Sequence, residues 1–258
     1  MISAWLDLPV AGVFAVLLVV YGLTAAAIVW ITFWSPLSAA IRTCTGLSAS
    51  FFASVSVLFA LLTGFLAGDV VDRNKQATRA VEAETGALAS LHALTLVAPA
   101  DMATISEALR SYVDAIVNDE WNAMADGRPS PKTNTALTEL LRTVADPKIA
   151  PAATQSVRDG LINLSLRAAA SRSDRLALNS YQSDNVKWAT VLFLCLMTQL
   201  AIAAVHLERP RAHILALTIF SLAAVVSLGL IAIQESPFDG AVRVSPAPLI
   251  AVLKTLTP

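Results

Sequence analysis

The chain has 258 residues, 56% of them apolar and only 14% charged, with a mean hydropathy of +0.65. That mean is too high for an ordinary soluble domain. A formal net charge of −1 excludes bulk attraction to nucleic acid and a general basic tether to membranes, so no nucleic-acid partner is expected.

Four stretches contain no Asp, Glu, Lys or Arg: Leu8 to Ile41, Thr43 to Gly68, Trp188 to Leu207 and Ala212 to Gln234. Each supplies the roughly 20 helical residues that cross a hydrocarbon core of about 30 Å. Trp5, Trp30, Trp34 and Trp188 stand at their ends, where amphipathic rings prefer the headgroup region. The first stretch lacks a basic leader and is longer than a signal core, so it is expected to be a retained span. Two cysteines, Cys44 and Cys195, give no disulfide framework.

The second span reads LSASFFASVSVLFALLTGFLAGDVV. Ser56, Ala60, Gly64 and Gly68 recur every four residues and form a ridge on which another helix can pack closely, within the subunit or between subunits. Beside it, Phe52, Ser56, Phe59 and Thr63 alternate ring and hydroxyl. They are candidate pore-lining residues of an oligomer, the alternative being rings that face lipid. None of the four spans holds a mid-membrane carboxylate, lysine or arginine, which disfavours an ion-coupled carrier. A passive pore, lined by hydroxyls and apolar rings, needs none.

Most of the 18 Lys+Arg and 19 Asp+Glu residues fall between Asp69 and Lys187, which defines a solvated insert between spans two and three. Val81, Leu88, Leu91 and Leu94 extend span two as a helix toward Pro99. Met102, Ile105, Leu109, Tyr112, Val113, Ile116, Trp121 and Met124 then recur at helical spacing, with Asp101 as cap and Gly127 and Pro129 as the end. Asp119, Glu120 and Asp126 near Trp121 suggest either a solvated face or a cation-attracting mouth. Ser130-Pro131 opens a further helix that Asp146-Pro147 stops. A last stripe from Ala152, through Val157, Leu161, Leu164 and Ala168, leads to span three. No period-2 alternation is present.

The fold class expected is therefore an all-α integral membrane protein: spans 1 and 2 within 1–69, a helical insert at 70–184, spans 3 and 4 within 185–235, and a tail at 236–258 docking on the insert. The two short loops hold Arg42, Arg209 and Arg211, which places them in the cytoplasm and the insert in the periplasm, although Arg73, Lys75 and Arg79 argue the reverse. His92, His206 and His213 have no convergent partners, and no nucleophile and base pair or nucleotide fingerprint is present. Neither enzyme activity nor a metal or other cofactor is expected.

The segment YVDAIVNDEWNAMADGRPSP (residues 112–131), the Arg175-Leu176 stretch and the tail SPFDGAVRVSP together resemble the bacterial bestrophin-like domain family of membrane proteins. The matching positions are Tyr112, Glu120, Trp121, Pro237, Phe238, Gly240, Arg243, Val244, Ser245 and Pro246. The resemblance runs from about Leu47 to the C-terminus. It implies four spans with a helical insert, a bacterial inner (plasma) membrane location, and kinship to bestrophins, pentameric anion channels with aromatic necks on the second span. Calcium gating is not implied, because no acidic clasp is identifiable. Phe238 before Asp239-Gly240 is expected to anchor the tail on the insert, with Arg243 pairing an acid such as Glu120 and with Pro246 and Pro248 preventing a regular helix. The function expected is a homo-oligomeric, channel-like protein passing small inorganic ions, anions by kinship, along the second span. The alternative is a non-conducting sensor or scaffold whose insert binds a ligand or partner.

Overall fold

The computed structural model describes residues 5–6, 8–43, 46–98, 100–125, 128–148, 153–180, 185–239 and 242–256. Cys44, Pro99, Asp126, Gly127, Ala152 and Gly240 lie outside them. Among the described residues the regular elements are all helical: α1 (Val10–Phe33), α2 (Ser38–Arg42), α3 (Ala49–Val97), α4 (Ala103–Ala115), a π-turn (Ile116–Glu120), α5 (Trp121–Ala125), α6 (Pro131–Ala145), α7 (Gln155–Ser180), α8 (Asn185–Val205), α9 (Pro210–Ala232) and α10 (Ala247–Leu256). Four of these, α1, α3, α8 and α9, are long and apolar enough to cross a membrane. The protein is a multi-pass membrane protein.

The chain divides into two compact units. One comprises Met1–Asp72 with Gln182–Glu235, the other Arg73–Tyr181 with Ser236–Pro258. In the membrane unit, Val13, Leu17 and Tyr21 of α1 pack with Trp188, Val191 and Cys195 of α8 and with Ala224, Val225 and Leu228 of α9. The packing of α1 on α9 is close: a Cβ at Gly229 would run into the ring of Phe14. Small residues at such crossings replace the missing hydrophobic drive with van der Waals contact.

The extramembrane unit is built on the second half of α3. Val81, Leu88 and Leu91 join Ile105, Leu109, Tyr112, Val113, Ile116, Leu140, Val144 and Leu161 in one core. Local signals set the helix ends. Asp101 Oδ1 accepts from the Ala103 backbone N–H at 3.0 Å. Ser130 Oγ accepts from the Thr133 N–H at 3.3 Å, with Pro131 in the first turn of α6, where its missing N–H costs nothing.

The tail departs from the sequence expectation. Ala247–Leu256 is a regular helix, because Pro248 falls in its first turn, where prolines are tolerated, and Pro246 precedes it. The Pro246 carbonyl accepts from the Ile250 N–H at 3.0 Å, and Leu249 and Val252 are buried in the extramembrane core.

Candidate functional site

Span two is the least covered of the four spans. Of its most apolar stretch 6% is buried, against 28%, 44% and 33% for α1, α8 and α9. The covered side carries three of the four residues expected to line a pore, Phe52, Phe59 and Thr63. Phe52 packs on the cluster of Ile28, Ile202 and Leu217, Phe59 meets Phe220 edge-on at 5.8 Å, and the Thr63 hydroxyl is buried. Ser56 Oγ donates to the Ala53 carbonyl of its own helix at 3.1 Å. The structure thus turns Phe52, Phe59 and Thr63 toward their own subunit, while Ser56 is half-buried. Val57, Leu58, Leu61 and Phe65 occupy the exposed side, as do Ala60, Gly64 and Gly68. Nothing lies within 4 Å of where a Cβ would stand at Gly64 or Gly68, so this ridge is not used for packing within the subunit.

Inside the membrane unit one polar cluster ties three spans together. The Gln199 amide of α8 donates to the Tyr21 carbonyl of α1 at 3.1 Å and to Ser221 Oγ of α9 at 2.9 Å. Its carbonyl accepts from Thr24 Oγ1 at 2.8 Å. A buried amide in hydrocarbon is costly unless all its valences are met. These are met, and the cluster sets the mutual rotation of α1, α8 and α9.

The extramembrane unit holds a buried ionic network to which six elements contribute: α3, α4, the π-turn, α5, α6 and α7. Arg175 of α7 donates from Nε to Glu84 Oε2 of α3 at 2.7 Å and from Nη2 to Glu84 Oε1 at 3.2 Å. Its Nη1 reaches Met124 Sδ at 2.7 Å, and its guanidinium lies 5.5 Å from the Trp121 ring centroid. Arg172, one turn earlier, donates from Nε to both oxygens of Glu120, at 3.0 and 2.8 Å, and from Nη2 to Asn134 Oδ1 of α6 at 2.6 Å. The Glu120 carboxylate also lies 3.6 Å from Arg175 Nη2. Tyr112 of α4 donates to Glu84 Oε1 at 3.4 Å. Glu84, Glu120, Arg172 and Arg175 are all buried.

Burial pushes the Glu84 carboxyl above its ordinary value against the pull of Arg175, and raises the Tyr112 hydroxyl well above its own. Burial opposes the charge on Arg175 too, but Glu84 and Glu120 outweigh it and hold the guanidinium protonated. Two acids facing two guanidiniums leave no net charge, which is how a helical bundle of this size tolerates ions in its core. The π-turn ends at Glu120, and such local widenings of a helix recur where one side chain must be aimed.

Glu120 is therefore neither part of a solvated face nor a cation-attracting mouth. It lies four residues after Ile116 and four before Met124, on the same stripe as the core. Asp119, its neighbour, points outward to Lys132 at 2.6 Å. Trp121 stacks edge-on against Phe238 of the tail, with ring centroids 5.8 Å apart. Arg243 is exposed, and the partners expected of it are occupied: Arg172 and Arg175 hold Glu120. Arg172 and Glu84 carry no motif that marks them in the sequence. Glu84 has a readable signal, since it lies three residues after Val81 and four before Leu88, on the buried stripe of α3.

A family model for the bestrophin-like domain matches residues 7–249. No curated protein matches the chain. Among solved structures, one single-site mutant of a bacterial bestrophin homolog from Klebsiella pneumoniae is 14% identical with a TM-score of 0.72, covering 95% of this chain and 99% of that one. A second mutant of that homolog is also 14% identical with a TM-score of 0.72, covering 94% and 95%. A further crystal structure, of a membrane protein, is 15% identical with a TM-score of 0.70, covering 94% and 97%. At such identities the likeness is one of fold.

Proposed function

The chain belongs to the bestrophin-like domain family, and from that premise we propose that it assembles with copies of itself into a channel-like protein conducting small ions along the second span. The observation that carries this reading is the uncovered face of α3. Its small half, Ala60, Gly64 and Gly68, suits close approach of a neighbouring helix. Its bulky half, with Val57 and Leu61, supplies an apolar constriction of the kind that gates by dewetting. The lining we propose is this exposed face, in place of the strip of Phe52, Ser56, Phe59 and Thr63. Anion preference and five-fold assembly follow the resemblance to bestrophins.

Planar-bilayer recording of the purified protein in asymmetric KCl tests the proposal. Discrete currents reversing near the chloride potential are expected, and Leu61→Ala should alter their conductance. A well-folded oligomer that stays silent across voltage would favour the sensor or scaffold reading instead. A cleft of about 600 Å³ in the extramembrane unit, lined by Gln76, Arg79, Ser171 and Asp174 among others, is where that reading would place a ligand.

A further inference from the structure

In the extramembrane unit α3 and α7 run antiparallel. Glu84 of α3 meets Arg175 of α7, and further along α3 the side chain of Leu94 stands 3.0 Å from where a Cβ at Gly160 of α7 would lie. The cleft of about 600 Å³ lies between these two helices, with Gln76, Arg79, Ala80 and Ala83 on one wall and Ser171 and Asp174 on the other. Arg79 and Asp174 are both exposed, and among the described residues neither has a hydrogen-bond or ion-pair partner. Opposite charges that face one cleft ordinarily pair across it. Here the helix register keeps them apart: counted back from the contact of Glu84 with Arg175, Asp174 stands close to the level of Ala83 and Arg79 close to that of Leu178. The two charges are thus offset by about one helical turn, 5.4 Å, along the cleft.

We propose that this cleft binds a short peptide with free termini, a dipeptide in extended form. The Arg79 guanidinium donates two parallel N–H bonds to the terminal carboxylate, joined by the Gln76 amide one turn away. The terminal ammonium donates to the Asp174 carboxylate and to Ser171 Oγ. The small side chains of Ala80 and Ala83 leave room between the two ends for the peptide's own side chains. Charge spacing selects this occupant. Two extended residues span at most about 7 Å, which suits the offset of one turn. A single amino acid holds its charges too close together to reach both ends, and a lone anion or cation leaves Asp174 or Arg79 without a partner. The site goes beyond conduction and does not rest on it, since none of these residues belongs to the second span.

Isothermal titration calorimetry of the full protein in detergent, with dialanine as the probe, tests the assignment. Saturable binding is expected. Free alanine, N-acetyl-dialanine and dialanine amide should each bind more weakly by about ten-fold or more, the usual loss when a charge-assisted hydrogen bond is removed. Arg79→Gln should weaken dialanine to the same degree and leave dialanine amide unchanged, while Asp174→Asn should weaken dialanine and leave N-acetyl-dialanine unchanged. Neither substitution should move thermal unfolding, because neither residue has a partner to lose. Ala83→Trp, which fills the cleft, should abolish binding. Because binding is read without current, failure of this site and failure of the conduction reading are separate results. No saturable dialanine binding by the folded protein, equal affinity for the capped peptides, or binding untouched by Arg79→Gln and Asp174→Asn would overturn the proposal. So would loss of oligomer on Ala83→Trp with dialanine binding intact, which would assign the cleft to a second copy of the chain.

Discussion

Arg175→Ala is expected to destabilise the extramembrane unit by roughly 3–5 kcal/mol, the usual cost of removing one partner from a buried ion pair. The substitution takes away both hydrogen bonds to Glu84 and the cation over Trp121, and it leaves a carboxylate in the core with only Tyr112 to donate to it. The pH dependence has a definite sign. Burial already holds the Glu84 carboxyl above its ordinary value, and loss of Arg175 raises it further. A carboxyl whose folded pKa is raised binds more protons in the folded state, so its contribution to stability is present at low pH and is lost as pH rises through the folded pKa. The deficit of Arg175→Ala should therefore be larger at neutral than at mildly acidic pH. Arg175→Met combined with Glu84→Leu should cost less than Arg175→Ala alone, since no orphaned charge remains. Thermal unfolding in detergent across pH measures this. A deficit independent of pH, or a double variant worse than the single, would contradict the account.

Phe238→Ala is expected to cost about 3–5 kcal/mol, as large-to-small changes at buried aromatics do. Phe238 is 2% exposed and closes the edge of Trp121 at 5.8 Å, and the Pro237 carbonyl behind it accepts from the Val244 N–H at 2.8 Å. Without the ring, the segment leading into α10 loses its anchor, and limited proteolysis should cut the tail near residue 240 at much lower protease. Arg243→Ala should change stability by no more than about 0.5 kcal/mol, as at other exposed positions. Equal protease resistance of Phe238→Ala and the native chain would show that α10 alone holds the tail.

The spans were legible because charge is excluded from hydrocarbon so strictly that gaps in Asp, Glu, Lys and Arg mark them. Which face of a span packs inward was not legible. In α3 the inward Phe59 and the exposed Phe65 are chemically identical, and a helix apolar on every side offers no periodic contrast. In the extramembrane unit the contrast exists, and it placed Tyr112, Ile116 and Trp121 in the core. It also hid Glu120, since a carboxylate on a buried stripe reads as surface until its guanidinium is found, and Arg172 lies 52 residues away in the chain. The tail was half legible. Phe238 before Asp239-Gly240 announces an anchor, whereas Pro248 looks like a helix breaker in sequence although its place in the first turn of α10 makes it compatible with one.

Cysteine accessibility on the second span tests the central claim most directly. In a background of Cys44→Ser and Cys195→Ser, Leu61→Cys and Phe59→Cys channels would be exposed during bilayer recording to a charged, water-soluble methanethiosulfonate. If the exposed face of α3 lines the pathway, the reagent blocks or reshapes current through Leu61→Cys and leaves Phe59→Cys unchanged. Modification confined to Phe59→Cys, or the absence of current from a folded oligomer of either variant and of the parent, would contradict it.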